Sequence, residues 1–188
     1  MADRPVFDRP VPEKPRLRFE PLDKRKHDRA AFSCGQESLD RYLKEHATQE
    51  IKKRVAAVYV LTPDGKTIAG YYTLSQYAIE AGELPPELVQ QLQLPRYDKL
   101  PATLLGRLAR GKQFKGRGLG ELLLMGAMKR ALEHSRNIAS VAVVVDAIDE
   151  NAHAFYRRYG FIDIPNRPNR LFLPMKTVAQ LFPDVDTE

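Results

Sequence analysis

Leu104-Leu105-Gly106-Arg107-Leu108-Ala109-Arg110-Gly111-Lys112-Gln113-Phe114-Lys115-Gly116-Arg117-Gly118-Leu119-Gly120-Glu121-Leu122-Leu123-Leu124 reads as a strand, a glycine-rich turn and the start of a helix in unbroken succession. Glycines at 116, 118 and 120 let the backbone take positive φ and approach a ligand closely. The first N–H groups of the helix have no partner within it, and its dipole favours an anion there. Lys112, Lys115 and Arg117 add positive charge, so a pyrophosphate is the natural occupant. A structural turn and a dinucleotide site remain open on these residues alone. A Rossmann turn, however, follows the first strand, and this one comes after several. A Walker-type loop needs Lys-Ser/Thr where Glu121-Leu122 follows Gly120.

Working outward, residues 1–16 carry four prolines and no apolar period, as expected of a flexible leader. Residues 17–22 read as a first strand, and the basic loop Lys24-Arg25-Lys26-His27-Asp28-Arg29 follows. Leu39, Tyr42, Leu43 and Ala47 recur at helical spacing, predicting an amphipathic helix over 37–50 closed by Lys52-Lys53-Arg54. Val55–Leu61 and Thr67–Ile79 form a hairpin pattern about Thr62-Pro63-Asp64-Gly65. A short helix is expected within 83–98, a strand over Pro101–Arg110 and a helix over Arg117–Arg130. Ile138–Val145 is β-branched enough for a strand buried on both faces. A helix over 149–158 and strands over Tyr159–Ile164 and Leu171–Met175 complete a mixed α/β sheet.

The length of 188 residues suits one core, and no apolar run approaches the ~20 residues a membrane helix needs. The N-terminus lacks an apolar signal core, and Cys34 is the single cysteine, so a reducing cytoplasm is expected. Cys34 and the four scattered histidines offer no zinc spacing, and no metal is expected. The net charge of +6 implies a polyanionic partner without saying which.

A second signal lies downstream in Asp149-Glu150-Asn151-Ala152-His153-Ala154-Phe155-Tyr156-Arg157-Arg158-Tyr159-Gly160-Phe161. Ala152, Phe155, Tyr156 and Tyr159 share a helical face, and Gly160 ends the helix. These rings serve as core aromatics, yet one phenol beside a thioester can protonate a departing thiolate.

Together the two signals resemble the GNAT superfamily of N-acetyltransferases. Its acetyl-CoA loop, Arg/Gln-x-x-Gly-x-Gly/Ala, is met by Lys115-Gly116-Arg117-Gly118-Leu119-Gly120, with Lys115 in place of Arg or Gln. Leu108-Ala109-Arg110 matches the splayed strand that pairs with the pantetheine arm. The downstream Asn-x-x-Ala-x-x-Phe/Leu-Tyr-x-x-x-Gly-Phe is met from Ala152 to Phe161, with Asp149 where Asn is usual. The resemblance implies a single acetyltransferase domain over 17–182, with 183–188 a tail. It also implies acetyl-CoA held by Leu108, Ala109, Arg110, Lys115, Gly116, Arg117, Gly118, Leu119, Gly120, Asp149 and Phe155. Tyr156 is then the catalytic acid.

Further segments resemble one branch, the acetyltransferase toxins of bacterial type II toxin–antitoxin modules. They are His27-Asp28-Arg29, Phe32-Ser33-Cys34-Gly35, Leu39-Asp40-Arg41-Tyr42-Leu43, Gly70-Tyr71-Tyr72-Thr73-Leu74-Ser75, Leu104-Leu105-Gly106-Arg107-Leu108-Ala109 and Val144-Val145-Asp146-Ala147. That branch implies acetylation of the α-amine of aminoacyl-tRNA and a block of translation. The N–H of Ala109 or Arg110 would polarise the thioester carbonyl. Candidate tRNA contacts are Lys24, Arg25, Lys26, Arg29, Lys52, Lys53, Arg54, Arg107 and Arg110. A ribbon-helix-helix antitoxin and a homodimer are the expected partners. Alternatives are the same fold acting on a small-molecule or protein amine, and a catalytically silent nucleic-acid-binding module.

Overall fold

The computed structural model describes residues 16–95 and 97–186. The leader thus lies, but for Arg16, outside the described residues. One mixed sheet organises the rest, in the order β1-β2-β3-β4-β5-β7-β6. Its strands are β1 (Arg18–Pro21), β2 (Ala57–Thr62), β3 (Gly70–Glu80), β4 (Lys99–Arg110), β5 (Ala142–Asp146), β6 (Ile162–Asp163) and β7 (Arg170–Pro174). Every neighbouring pair is antiparallel except β4–β5, which is parallel. That exception requires a crossover, supplied by α4 (Leu119–Ser135).

Local chemistry sets the register. In the β2–β3 turn the Asp64 carboxylate accepts from the N–H groups of Lys66 and Thr67 at 2.8 and 2.7 Å, while Gly65 takes φ +80°. Helix α4 presents Leu119, Leu123, Leu124, Ala127, Met128, Ala131 and Leu132 as one buried stripe. Leu122, beside that stripe, is exposed. The stripe packs on a sheet face carrying Tyr72, Leu74, Leu105, Val143, Val145, Leu171 and Leu173. Helix α5 (Glu150–Arg158) joins the same layer through Phe155 and Tyr156.

The opposite face holds two smaller clusters. One packs Tyr42, Leu43 and Ala47 against Val58, Val60, Tyr71 and Ala109. The other gathers Ile79, Leu100, Ala102, Val144 and Phe172 under the segment containing α3 (Pro86–Gln91).

Several expected boundaries shift. The helix expected over 37–50 is α1 (Glu37–Arg41) and α2 (Ala47–Lys52), joined by a π-helical segment, Tyr42–His46. Ile138 is exposed and precedes β5, which needs only Ala142–Val145 to bury both faces. Met175 opens a helix not expected from the sequence, α6 (Met175–Leu181), anchored by buried Met175 and Val178. The expected tail begins with α7 (Pro183–Asp186), whose Val185 packs against the core.

Candidate active site

The site begins where β4 and β5 part. Thr103, Leu104 and Leu105 pair with Val143, Val144 and Val145, and the pairing then stops. β4 nevertheless runs on to Arg110, with Arg107, Leu108, Ala109 and Arg110 still paired to β3. The cause is a β-bulge. Thr73 pairs with Arg107 and Leu74 with Leu105, which leaves Gly106 as the extra residue. A bulge bends its strand and increases local twist, so β4 swings away from β5. A Cβ at Gly106 would stand 3.1 Å from Thr73 Oγ1, so a bare glycine eases the close approach.

The splay leaves one edge of β4 without a neighbouring strand. Gly111 N–H donates to Ala69 O at 2.9 Å, on the β3 side. Alternation along the ladder therefore turns the N–H of Arg110 and of Leu108 into the opening, and commits that of Ala109 to β3. Of the two amides expected to polarise a carbonyl, that of Arg110 faces the opening and that of Ala109 belongs to the sheet. The Ala109 side chain is likewise buried on the opposite face.

The chain next makes one 3-10 turn at Lys112–Phe114 and enters the glycine turn. Gly116 and Gly118 take φ +77° and +70°, and no atom lies within 4 Å of a Cβ built on either. Gly118 is the N-cap of α4 and supplies no side-chain acceptor to its first amides. Open space thus meets unsatisfied N–H groups at the positive end of a 17-residue helix. Lys115 and Arg117 are exposed beside it. Leu119 presents only its backbone there, since its side chain is in the core.

Tyr156 stands on α5 with 7% of its surface exposed, its ring 5.4 Å from both Phe155 and Phe161. Among the described residues nothing hydrogen-bonds its hydroxyl. Burial pushes its pKa above the ordinary phenol value, so the proton stays on Oη at neutral pH. Asp149 is the N-cap of α5 and accepts from Ala152 N–H at 2.8 Å, so one carboxylate oxygen already has a structural partner.

The sequence-picked cations divide. Lys24, Arg25, Lys26 and Lys52 line one surface cleft of about 1050 Å³ between the β1–α1 loop and α2. Lys53 and Arg54 follow at the end of α2, where Arg54 takes φ +58° in the position usually given to glycine. Within the cleft, Lys26 is paired with Glu20; Lys26 and then Arg18 hold that carboxyl down to about 2. Arg29 differs from the rest. Its Nη1 donates to the carbonyls of Leu43 and Lys44 at 3.3 and 2.9 Å, bracing the π-helical segment.

Arg107 is half-buried over the Tyr42 ring at 3.5 Å, with Glu50 3.8 Å away. Tyr42 Oη donates to Glu50 at 2.7 Å, and burial first, then Glu50, raises its pKa. Among the described residues Arg110 Nη1 reaches only the carbonyl of Gly111, at 3.4 Å. Sequence reasoning missed Tyr42 and Glu50, because helical spacing marks them only as a core ring and a surface acid. It also passed over Gly106, although a glycine inside a strand is a bulge signal.

The pattern that defines the Acetyltransferase (GNAT) family matches residues 25–161, from the basic loop through the Tyr156 helix. The chain belongs to the GNAT family. Its relatives within the family are specific. "Probable toxin TacT" of Sinorhizobium fredii (strain NBRC 101917 / NGR234) is 33% identical over 171 residues, covering 87% of this chain and 93% of its own. A "tRNA-acetylating toxin" of Mycobacterium tuberculosis (strain ATCC 25618 / H37Rv) is 32% identical, covering 84% and 92%. The solved structure of AtaT complexed with acetyl-methionyl-tRNAfMet superposes with a TM-score of 0.79 at 32% identity, covering 89% and 99%. A mutant AtaT bound to the C-terminus of the antitoxin AtaR and acetyl-CoA gives 0.75 at 28%, covering 89% and 99%. Within this GNAT domain the bulge ends the β4–β5 pairing, the glycine turn opens α4, and α5 rests through Phe155 on the first turn of α4.

Proposed function

We propose that this chain transfers the acetyl group of acetyl-CoA to the α-amine of the aminoacyl group on charged tRNA, and so blocks translation. The observation that carries the reading is the opening between β4 and β5. α4 and the Tyr156-bearing α5 cover one face of the sheet beside it, and Arg107 and the cationic cleft lie on the other face. Two large substrates can therefore approach from opposite sides. Relatives named or solved as tRNA-acetylating toxins support the same assignment.

Acetyl-CoA supplies an activated acetyl thioester. The uncapped amides of α4, with Lys115 and Arg117, suit its pyrophosphate, and the free edge of β4 suits its amide-bearing arm. Arg110 and Leu108 N–H groups point where a carbonyl oxygen would gain charge. Tyr156 Oη holds a proton for the departing sulfur. The α-amine of an aminoacyl ester is less basic than a lysine amine, so more of it is neutral and nucleophilic near pH 7. Lys24, Arg25, Lys52, Lys53 and Arg54 follow the tRNA backbone, whereas Arg29 has a structural task.

Three finer parts complete the reading: cytoplasmic action, a homodimer presenting two basic surfaces, and neutralisation by a ribbon-helix-helix antitoxin. No helix among the described residues is long and apolar enough to cross a membrane. Incubation with acetyl-CoA and total charged tRNA should yield N-acetyl-aminoacyl-tRNA. Clear turnover on a small-molecule or protein amine, with no product from any charged tRNA, would replace this reading by its alternative.

A further inference from the structure

Asp146 is the first β5 residue with no partner on β4. It therefore stands at the mouth of the opening. Alternation with Val144, which packs beside Ala102 and Phe172, puts its side chain on the face opposite α4 and α5. Arg107 and the cationic cleft occupy that same face.

Its surroundings are built. Arg170, directly opposite on β7, grips both carboxylate oxygens, Nε to Oδ1 at 2.7 Å and Nη2 to Oδ2 at 2.9 Å. The third arm of the fork, Nη1, donates to Tyr77 Oη at 2.5 Å, bridging from β7 to β3 across the two strands that are about to part. The hydrogen-bonding capacity is not exhausted. An ionised carboxylate offers about four lone-pair sites, and Arg170 uses two of those on Asp146. Half of the Asp146 side chain is exposed, against 22% for Arg170. Tyr77 accepts from Arg170, and among the described residues its own O–H has no acceptor. One guanidinium thus fixes a free acceptor and a free donor side by side.

We infer that Asp146 and Tyr77, held by Arg170, bind the acceptor end of the substrate, the carboxylate taking the hydrogens of the amine and the phenol donating to the neighbouring ester oxygen. This rests on the proposed acetyl transfer and adds the residues that hold its nucleophile. A strand-end ion pair alone would need neither the mouth position nor a tyrosine from two strands away.

The test compares the wild-type full chain with Asp146→Asn and Tyr77→Phe on charged tRNA. Acetyl-CoA affinity, deacylated-tRNA affinity and melting temperature are measured alongside. Asp146→Asn should raise KM for charged tRNA ~10-fold or more, as loss of a charged hydrogen bond does, and leave deacylated-tRNA affinity within about twofold. The pH profile of kcat/KM should also change, because a carboxylate near the amine alters the pH at which it sheds its proton. Tyr77→Phe, which leaves the ion pair intact, should raise KM ~3- to 10-fold. Unchanged KM in both variants overturns the inference. So does a fall in melting temperature in Asp146→Asn with Tyr77→Phe indistinguishable from wild type, the behaviour of a strand clasp. Failure of the wild type on every charged tRNA overturns the tRNA assignment instead, and the two variants are then read on whichever amine it acetylates.

Discussion

The ring of Phe155 lies against Gly120, where a Cβ would stand 3.7 Å from Phe155 Cε2. Two motifs separated in sequence are thereby one object. The helix bearing Tyr156 is seated on the first turn of the helix whose N-terminus faces the glycine turn. The glycine turn and Tyr156 are fixed relative to each other by that contact and by the shared core beneath it.

Tyr156→Phe should lower turnover ~10²-fold or more while acetyl-CoA affinity and melting temperature hold, because only the proton is removed. Burial raises the Tyr156 pKa, so the phenol remains the acid form throughout the neutral range and its ionisation adds no alkaline fall in kcat below about pH 10. Steady-state kinetics of both proteins across pH checks this. Equal turnover would assign the proton to water.

Gly118→Val should abolish or severely weaken acetyl-CoA binding. No protein atom obstructs its Cβ, so the damage falls on the ligand's space and on a left-handed backbone that costs a non-glycine residue ~1–2 kcal/mol. Calorimetric titration gives the result, and retained affinity would remove the loop assignment.

Charge reversal at Lys52 and Lys53 should weaken tRNA binding and flatten its dependence on salt, as expected when phosphate contacts are lost. Arg29→Ala should instead lower stability with little change in the salt slope, since its guanidinium serves the carbonyls of Leu43 and Lys44. Binding isotherms at several ionic strengths, with melting curves, separate the two effects.

Cys34 should alkylate slowly. Burial, and then Asp40, push its thiol up to about 11, so at pH 8 the thiolate is scarce and the rate should be at least ~10-fold below that of a free thiol. The rate should climb as pH approaches 11. Fast labelling at pH 8 would show that the turn opens in solution.

Gly126→Ala should destabilise the domain although alanine favours a helix. Its Cβ would fall 2.5 Å from Phe19 Cζ, and overpacking against a rigid ring costs ~1–3 kcal/mol against ~1 kcal/mol of regained propensity. Urea denaturation measures the difference. A stabilised variant would mean that β1 can move off α4.

Local chemistry was legible where period and punctuation agree. The α4 stripe, the β2–β3 turn and the glycine turn all follow from short-range spacing, and so does the position of Tyr156 on its helix. Element ends were less so. Ile138 carries a strand-former's side chain but lies outside β5, and Met175 begins a helix that its apolar neighbours disguise as strand. Ile138 N–H is instead taken by His134 O at the end of α4, whereas Met175 and Val178 are drawn into a helix by packing against the core.

By itself, then, the sequence determined that a strand, a turn with positive-φ glycines and a helix would follow one another, and that a phenol-bearing helix would come after. Only the tertiary structure decided which groups meet. The bulge at Gly106 directs Leu108 and Arg110 amides into the opening and keeps that of Ala109 in the sheet. Arg107 finds Tyr42 and Glu50, and Tyr77 finds Arg170 across 93 residues. The physical reason is that strand register and sheet order, not sequence distance, bring such residues within hydrogen-bond reach. Those are collective properties of the whole sheet.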